Sequence, residues 1–174
     1  MSGSQAPQRK VHILGIGGTA MSAVAGLFRQ AGWEVRGSDQ AQPYPPMGDL
    51  LAALGIPVLH PYAAGNLAWG PDLVVVGNVI RRTNPEAVAL LASGLPYLSF
   101  PEALRAHFFA DRMPLVVAGT HGKTTTTSLI AHLLHAQGFD PSFLVGGVPL
   151  DFGVNHRLGA GRHFVVEGDE YDTA

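Results

Sequence analysis

A chain of 174 residues with 47% hydrophobic and only 14% charged residues has the composition of a folded α/β protein rather than a disordered one. Its net charge of −2 excludes the broad cationic surface that nucleic acids and anionic membranes require, so any phosphate binding must be local. The absence of cysteine excludes disulfides and thiolate metal sites. We expect a cytoplasmic protein without nucleic-acid or membrane partners, because no apolar run is long enough to span a bilayer or serve as a signal peptide.

Short β-rich runs alternate with helical patterns along the chain. The predicted strands are residues 11–14, 34–37, 56–59, 73–76, 97–98, 115–118, 143–145 and 164–166. The predicted helices, with apolar residues at three- and four-residue spacing, are 20–30, 48–54, 85–92, 101–109 and 123–137. Continuous apolar strands joined by helices indicate parallel sheets covered on both faces.

The best domain boundary is the Ala-Asp-Arg-Met-Pro stretch at residues 110–114, because a new strand with its own glycine loop follows it. The pattern predicts a disordered tail at 1–10, a Rossmann-like domain at 11–110 and the start of a second domain at 111–174. We expect this second domain to be incomplete, because the parallel sheet that it begins would need several later strands.

The first glycine loop follows the strand at 11–14 and opens a helix. Glycines in this context let the backbone approach a phosphate, and the helix amides then face the anion. Ser38 and Asp39 end the second predicted strand, about 20 positions after the loop. A carboxylate there could accept a hydrogen bond from a ribose hydroxyl. Two alternatives stay open for this loop: it belongs to a dinucleotide-binding oxidoreductase, or it is only a tight strand-to-helix turn that binds no ligand. The candidate ligand residues are Gly15, Gly17, Gly18, Thr19, Ala20, Met21, Ser22, Ser38 and Asp39.

The second glycine loop lies between the strand at 115–118 and the helix at 123–137, the setting of a P-loop. Its amides form a nest for phosphate oxygens, Lys123 reaches the β- and γ-phosphates, and the Thr124 hydroxyl can coordinate Mg²⁺. The general P-loop pattern has glycine at the position where this chain has Val117. His121 either contacts phosphate or substrate or simply fills the loop. The candidate ATP-binding residues are Gly119, Thr120, His121, Gly122, Lys123, Thr124 and Thr125.

A carboxylate at the end of the strand at 164–166 would lie beside the P-loop, where Mg²⁺ needs an oxygen ligand. Glu167 is the first choice by position, and Asp169 and Glu170 are alternatives. Asn78, Arg81 and Arg82 follow the strand at 73–76 and are weaker candidates for ligand contact. His132 and His135 share a helix face, but no third metal ligand is near them in sequence.

Gly-Thr-His-Gly-Lys-Thr-Thr at 119–125, Glu-Gly-Asp-Glu at 167–170 and Gly-Ile-Gly-Gly-x-x-Met-Ser at 15–22 resemble the Mur ligase family of peptidoglycan synthesis. The altered P-loop pattern is that family's own form. The front motif resembles the branch that ligates L-alanine. Tyr-Pro-Pro-Met at 44–47, Gly-Gly-Val-Pro at 146–149 and Glu-Tyr-Asp at 170–172 look closer to the branch that ligates a murein tripeptide. Gly168 departs from the family, where a small residue such as alanine is expected.

The resemblance implies an ATP- and Mg²⁺-dependent amide ligase in which the first domain holds UDP-N-acetylmuramate and the second holds ATP. Lys123, Glu167 and His121 would be catalytic, Thr124 and Glu167 would bind the metal, and Asn78 would join the glycine loop at the UDP-sugar. The amine would be L-alanyl-γ-D-glutamyl-meso-diaminopimelate or L-alanine. Because further domains would be needed, we expect the chain alone to be inactive, and a non-catalytic UDP-sugar-binding module remains open beside the oxidoreductase.

Overall fold

The computed structural model describes residues 8–168 of the chain. It contains nine strands and five helices in these residues, in the order β1 (Lys10–Leu14), α1 (Thr19–Gln30), β2 (Glu34–Ser38), α2 (Met47–Ala53), β3 (Val58–Leu59), β4 (Leu73–Val76), α3 (Pro85–Ser93), β5 (Tyr97–Ser99), α4 (Phe100–Phe108), β6 (Met113–Ala118), α5 (Lys123–Ala136), β7 (Ser142–Leu144), β8 (His156–Arg157) and β9 (His163–Gly168).

The first sheet is parallel throughout, with strand order β3-β2-β1-β4-β5. Its central strand β1 has four residues without solvent exposure, because helices cover both faces of the sheet. The strand order reverses between β1 and β4, so the connections that follow these strands diverge at the carboxyl edge. A crevice at this position is where open α/β sheets bind ligands.

The second sheet has the order β6-β9-β7-β8. Strands β6, β9 and β7 are parallel, whereas the two-residue strand β8 is antiparallel to β7. Helix α5 follows β6 and packs on this sheet through Ala131, which is fully buried with Phe143 and Val165. The carboxyl ends of β6 and β9 therefore lie side by side, which places the second glycine loop next to residue Glu167.

Helix α1 is buried between the two sheets. Every residue from Met21 to Phe28 is buried, and the same apolar cluster includes Val11 and Val75 of the first sheet and Leu144 and Phe164 of the second. On the second-sheet side the His156 ring lies against Gly26, at which a Cβ atom would come within 2.1 Å of His156 Nε2. The glycine allows the helix and β8 to approach this closely.

The α/β class with a Rossmann-like parallel sheet is confirmed, and each predicted strand and helix is present with shifts of one or two residues at some ends. The sequence did not predict β8 or the 3₁₀ turn Ala64–Leu67. Strand β1 begins at Lys10, the last residue of the predicted tail, and residues 1–7 lie outside the described residues. The domain boundary at 110–114 stays a prediction. No helix in the described part of the chain is long and apolar enough to cross a membrane.

We predict that Gly26→Ala destabilises the protein, although alanine is ordinarily the better helix former by about 0.5–1 kcal/mol. The added methyl group would overlap the His156 ring, and overpacking of this kind costs about 1–3 kcal/mol. Urea denaturation measures the change. Gly65→Ala is the matched control, because nothing lies within 4 Å of its Cβ position and its effect should stay within about 0.5 kcal/mol. Equal stability of the two variants would contradict the described contact between α1 and β8.

Candidate functional site

The first glycine loop is held by the end of β2. The amides of Gly15 and Ile16 both donate to the Ser38 carbonyl, at 2.9 and 3.1 Å, and Gly15 takes a left-handed φ of +83° that favours glycine. The loop then enters α1 at Thr19, with Gly18 as N-cap, no side-chain cap and no acidic residue in the first turn. The helix therefore begins with amides that are suited to an anion.

Asp39 lies across this loop. Its Oδ2 accepts the Gly17 amide at 2.8 Å, and its Oδ1 accepts the Gln40 amide at 2.7 Å and the Tyr62 hydroxyl at 3.3 Å. A Cβ at residue 17 would come within 2.8 Å of the carboxylate, so only glycine fits there without displacing it. Burial and the Asp39 charge raise the pKa of the Tyr62 hydroxyl, which stays protonated as a donor.

A buried polar network lies beneath the loop. Glu86 Oε1 accepts from His12 Nε2 at 2.7 Å and from the Ser38 hydroxyl at 2.8 Å, and its Oε2 accepts from Asn66 at 2.8 Å. Trp69 donates its indole N–H to His12 Nδ1, which assigns the proton of a neutral His12 to Nε2. Burial alone would raise the pKa of Glu86, but the hydrogen bonds from His12, Asn66 and Ser38 outweigh it and lower the pKa. Glu86 is thus a buried carboxylate with its acceptor positions filled.

The second glycine loop joins β6 to α5. Gly119 and Gly122 have φ of +155° and +76°, and Gly122 is the N-cap of α5 without a side-chain cap or an acidic residue in the first turn. Lys123 Nζ donates to the Gly119 carbonyl at 3.1 Å, so the ammonium group lies over the loop. An uncapped helix start with a lysine over it is the charge arrangement that phosphate groups need.

Glu167, which is 8% exposed, connects the P-loop to the chain after β7. Its Oε2 accepts the Thr124 hydroxyl at 3.2 Å, and its Oε1 accepts the Gly146 amide at 2.6 Å. A hydroxyl and a carboxylate at this separation are the oxygen ligands that Mg²⁺ prefers, so the two residues fit the metal expected there. Within residues 8–168 no group of three or more His, Cys, Asp or Glu side chains could hold a metal.

The chain between Gly146 and His156 runs from this carboxylate to helix α1, and we call residues 146–156 the bridge segment. At its far end Asn155 donates through Nδ2 to the Thr19 carbonyl at 3.2 Å and accepts from His156 Nδ1 at 2.9 Å. Phe152 packs against Phe143, with ring centroids 4.6 Å apart. The bridge segment is therefore in contact with both glycine-loop regions.

The predicted site residues fall into different environments, and their ligand roles stay predictions. Ser38, Met21 and Ser22 are buried; the Ser38 hydroxyl binds Glu86, and that of Ser22 donates to the Thr19 carbonyl. Their side chains do not face an open crevice. The exposed candidates near the first sheet are Gly18, Asn78, Arg81 and Arg82, and those of the second glycine loop are Gly119, Thr120, His121, Gly122, Thr124 and Thr125. Asp169 and Glu170 lie outside the described residues.

His132 and His135 bind partners other than a metal. His132 Nδ1 lies 2.9 Å from Asp151 Oδ2, and His135 Nδ1 lies 2.9 Å from the Arg157 guanidinium, which also pairs with Asp140. These contacts attach the bridge segment and β8 to α5, so both histidines have a structural role in this arrangement.

Sequence reasoning missed His12, Glu86, Tyr62 and Asn155. The buried network had one signal in the sequence, which is a polar residue within an apolar element. His12 lies in the apolar strand β1, and Glu86 follows the helix cap Asn84. No sequence signal placed Tyr62 or Asn155, because their contacts join residues 23 and 136 positions apart.

Comparisons with known proteins agree on one family. The model described as "Mur ligase family, catalytic domain" matches residues 10–111. The chain is 48% identical over 165 residues to the UDP-N-acetylmuramate–L-alanyl-γ-D-glutamyl-meso-2,6-diaminoheptandioate ligase of Escherichia coli, covering 95% of the chain and 36% of that protein. It is 47% identical to an Arthrobacter UDP-N-acetylmuramate–L-alanine ligase, and this match covers 94% of the chain and 34% of that protein.

A solved structure of the UDP-N-acetylmuramate:L-alanyl-γ-D-glutamyl-meso-diaminopimelate ligase from Neisseria meningitides matches the fold with a TM-score of 0.90 and 44% identity. That match covers 96% of the chain and 54% of the solved one. The chain thus spans about a third of the length of the curated relatives it matches.

We predict that the protein loses stability as the pH falls from 6.5 towards 4. Burial lowers the pKa of His156 from 6.5 to about 4 by desolvating the charged form, and its Nε2 has no hydrogen-bond partner among the described residues. In this window the unfolded chain binds a proton that the folded one does not, so the free energy of unfolding decreases by up to about 3 kcal/mol.

Urea denaturation at pH 7, 6, 5 and 4 measures this loss. The variant His156→Gln should show a shallower pH dependence between 6.5 and 4, whereas His60→Gln, at an exposed position, should keep the wild-type slope. Parallel curves for all three proteins would contradict the assignment to His156.

Proposed function

Because the chain belongs to the Mur ligase family, we propose that it carries the UDP-sugar-binding part and the phosphate-binding part of an ATP-dependent ligase. The proposed reaction joins UDP-N-acetylmuramate to L-alanyl-γ-D-glutamyl-meso-diaminopimelate. The observation that carries this proposal is the convergence of Lys123, Thr124 and Glu167 at one edge of the second sheet, with a separate glycine loop at the carboxyl edge of the first.

The first glycine loop supports binding of the UDP-sugar. The uncapped start of α1 offers amides to the diphosphate, and Asp39 and Tyr62 offer polar groups to hydroxyls at the same edge. The loop lies where the strand order reverses, which is the usual ligand position in open α/β sheets. We assign the diphosphate to the loop that begins at Gly15 and the ribose to the neighbourhood of Asp39.

The second loop supports binding of ATP. The α5 amides and Lys123 would receive its phosphates, and Thr124 and Glu167 would hold Mg²⁺, which neutralises phosphate charge when bound. In the proposed reaction a carboxylate oxygen of the muramate attacks the γ-phosphorus and ADP leaves. The amine nitrogen then attacks the carbonyl carbon of the acyl phosphate, inorganic phosphate leaves and the amine loses a proton. Lys123 supports the first step by stabilising charge on the transferred group.

L-alanine is the second candidate for the amine, because an L-alanine ligase is 47% identical to the chain. The Tyr-Pro-Pro-Met stretch at 44–47 favours the tripeptide, as does the likeness to the ligase from Neisseria meningitides. The described residues contain no assigned amine-binding group, so the choice rests on these resemblances. Cytoplasmic location stays a prediction.

We predict that the chain binds UDP-N-acetylmuramate and does not bind NAD⁺. Isothermal titration with each ligand under identical conditions measures both affinities. Asp39→Asn should weaken UDP-N-acetylmuramate binding about 10- to 100-fold, the effect of losing a charge-assisted hydrogen bond of about 1.5–3 kcal/mol. Asp111→Asn, at an exposed position between α4 and β6, serves as the control. Selective binding of NAD⁺ would overturn the proposed function in favour of an oxidoreductase.

Lys123→Ala should weaken binding of Mg²⁺ with a non-hydrolysable ATP analogue by about 10- to 100-fold, because an ammonium–phosphate bond is worth about 1.5–3 kcal/mol. The same variant should bind UDP-N-acetylmuramate like the wild type, since the two loops belong to different sheets. Arg105→Ala removes an exposed charge of α4 and serves as the control. Unchanged affinity for the ATP analogue in Lys123→Ala would contradict the assignment of this loop.

A further inference from the structure

We propose that Glu86 is a positioning residue for the proposed sugar-nucleotide site, because its two carboxylate oxygens fix the two chain segments that would receive the diphosphate and the ribose. Its side chain is fully buried at the start of α3, so it acts on a ligand only through other residues. This inference rests on the proposed function, which assigns the diphosphate to the first glycine loop and the ribose to the neighbourhood of Asp39.

The first carboxylate oxygen of Glu86, Oε1, fixes the strand end that holds the first glycine loop. It accepts the Ser38 hydroxyl at 2.8 Å and His12 Nε2 at 2.7 Å. The carbonyl of the same Ser38 accepts the amides of Gly15 and Ile16, at 2.9 and 3.1 Å. A single buried residue therefore connects Glu86 to the loop that would receive the diphosphate.

The second carboxylate oxygen, Oε2, fixes the turn that carries Tyr62. It accepts Asn66 Nδ2 at 2.8 Å and the Ala63 amide at 3.3 Å. The Tyr62 hydroxyl in turn donates to Asp39 at 3.3 Å, and a Cβ atom built at Gly15 would lie 3.8 Å from that hydroxyl. The turn therefore places Tyr62 beside the glycine loop and beside the carboxylate that would receive the ribose hydroxyls.

The donors around Glu86 require an acceptor at both of its oxygens. Glutamine has nearly the same shape, but one of its two terminal groups is an NH₂ donor. If that group replaces Oε2, it faces the Ala63 amide, which is also a donor. If it replaces Oε1, it faces His12, whose Nε2 carries the proton because the Trp69 indole N–H donates to Nδ1. Glu86→Gln therefore breaks the contact with one of the two segments without creating a cavity.

The first experiment is isothermal titration of wild type, Glu86→Gln and Leu90→Ala with UDP-N-acetylmuramate. Glu86→Gln should bind about 10-fold more weakly, the effect of losing one hydrogen bond to a charged group. Leu90→Ala is the matched control, because it removes a buried side chain of the same helix that packs with Leu67 and Val74. Its affinity should stay within about 2-fold of wild type. An unfolded fraction in either variant lowers the binding stoichiometry, which the same titration measures.

A second experiment separates positioning from a general loss of structure and does not depend on how well Glu86→Gln folds. It compares the affinities for UDP and 2′-deoxy-UDP, whose ratio reports the contact to the ribose 2′-hydroxyl. The wild type should prefer UDP by about 5-fold or more. Asn66→Ala removes a donor to Oε2, and the ratio should fall to about 2 or lower. Ser38→Ala removes the donor to Oε1 and should weaken both ligands about 3- to 10-fold, which leaves the ratio unchanged.

The outcomes distinguish this inference from the proposed function. Wild-type affinity for UDP-N-acetylmuramate in Glu86→Gln overturns the positioning role of Glu86 and leaves the proposed function intact. The same follows if Asn66→Ala and the wild type show equal ratios of UDP to 2′-deoxy-UDP affinity, because the turn that carries Tyr62 then has no effect on the ribose. Failure of the wild type to bind UDP-N-acetylmuramate overturns the proposed function and this inference with it.

Discussion

Burial of α1 on two sides is the constraint on which the rest of the structure depends. A helix on the face of an open parallel sheet usually presents its outer side to water, yet here Met21 to Phe28 are all buried because β7, β8 and β9 cover that side. Gly26 allows the closest approach, at the His156 ring. The start of the same helix forms the end of the first glycine loop. The packing that joins the sheets therefore also fixes the orientation of the proposed sugar-nucleotide site.

The second constraint is the buried carboxylate of Glu86. Removal of an ionised carboxylate from water is costly, and here the hydrogen bonds from His12, Asn66 and Ser38 offset that cost, since the pKa of Glu86 is lowered overall. The same hydrogen bonds connect separate parts of the chain, because the donors come from β1, the turn after β3 and the end of β2. Ser38 binds Glu86 with its hydroxyl and the first glycine loop with its carbonyl, so the network determines where that loop lies.

The sequence predicted those features of the fold that depend on local residue patterns. Apolar runs predicted the central strands, three- and four-residue spacing predicted α1 and α5, and Gly-Lys-Thr predicted a helix that starts at Lys123 with Glu167 nearby. It did not predict β8, because two residues within a polar stretch carry no periodicity. Nor did it predict that Ser38 faces Glu86, since only the parallel register of β1, β2 and β4 brings residues 12, 38 and 86 together. Tertiary contacts of this kind leave no local signal.

Asp39 shows how the first site favours one class of ligand group over another. An anionic carboxylate that already accepts the Gly17 amide would repel a diphosphate placed beside it, so the phosphates are better accommodated towards the uncapped amides of Thr19 and Ala20. Hydroxyl groups of a sugar or ribose are neutral donors and suit Asp39. The longest of its described bonds, 3.3 Å from the Tyr62 hydroxyl, is the one that a ligand hydroxyl would replace at least cost. An uncapped helix start and a carboxylate at one sheet edge together suit the two ends of the proposed nucleotide-sugar diphosphate.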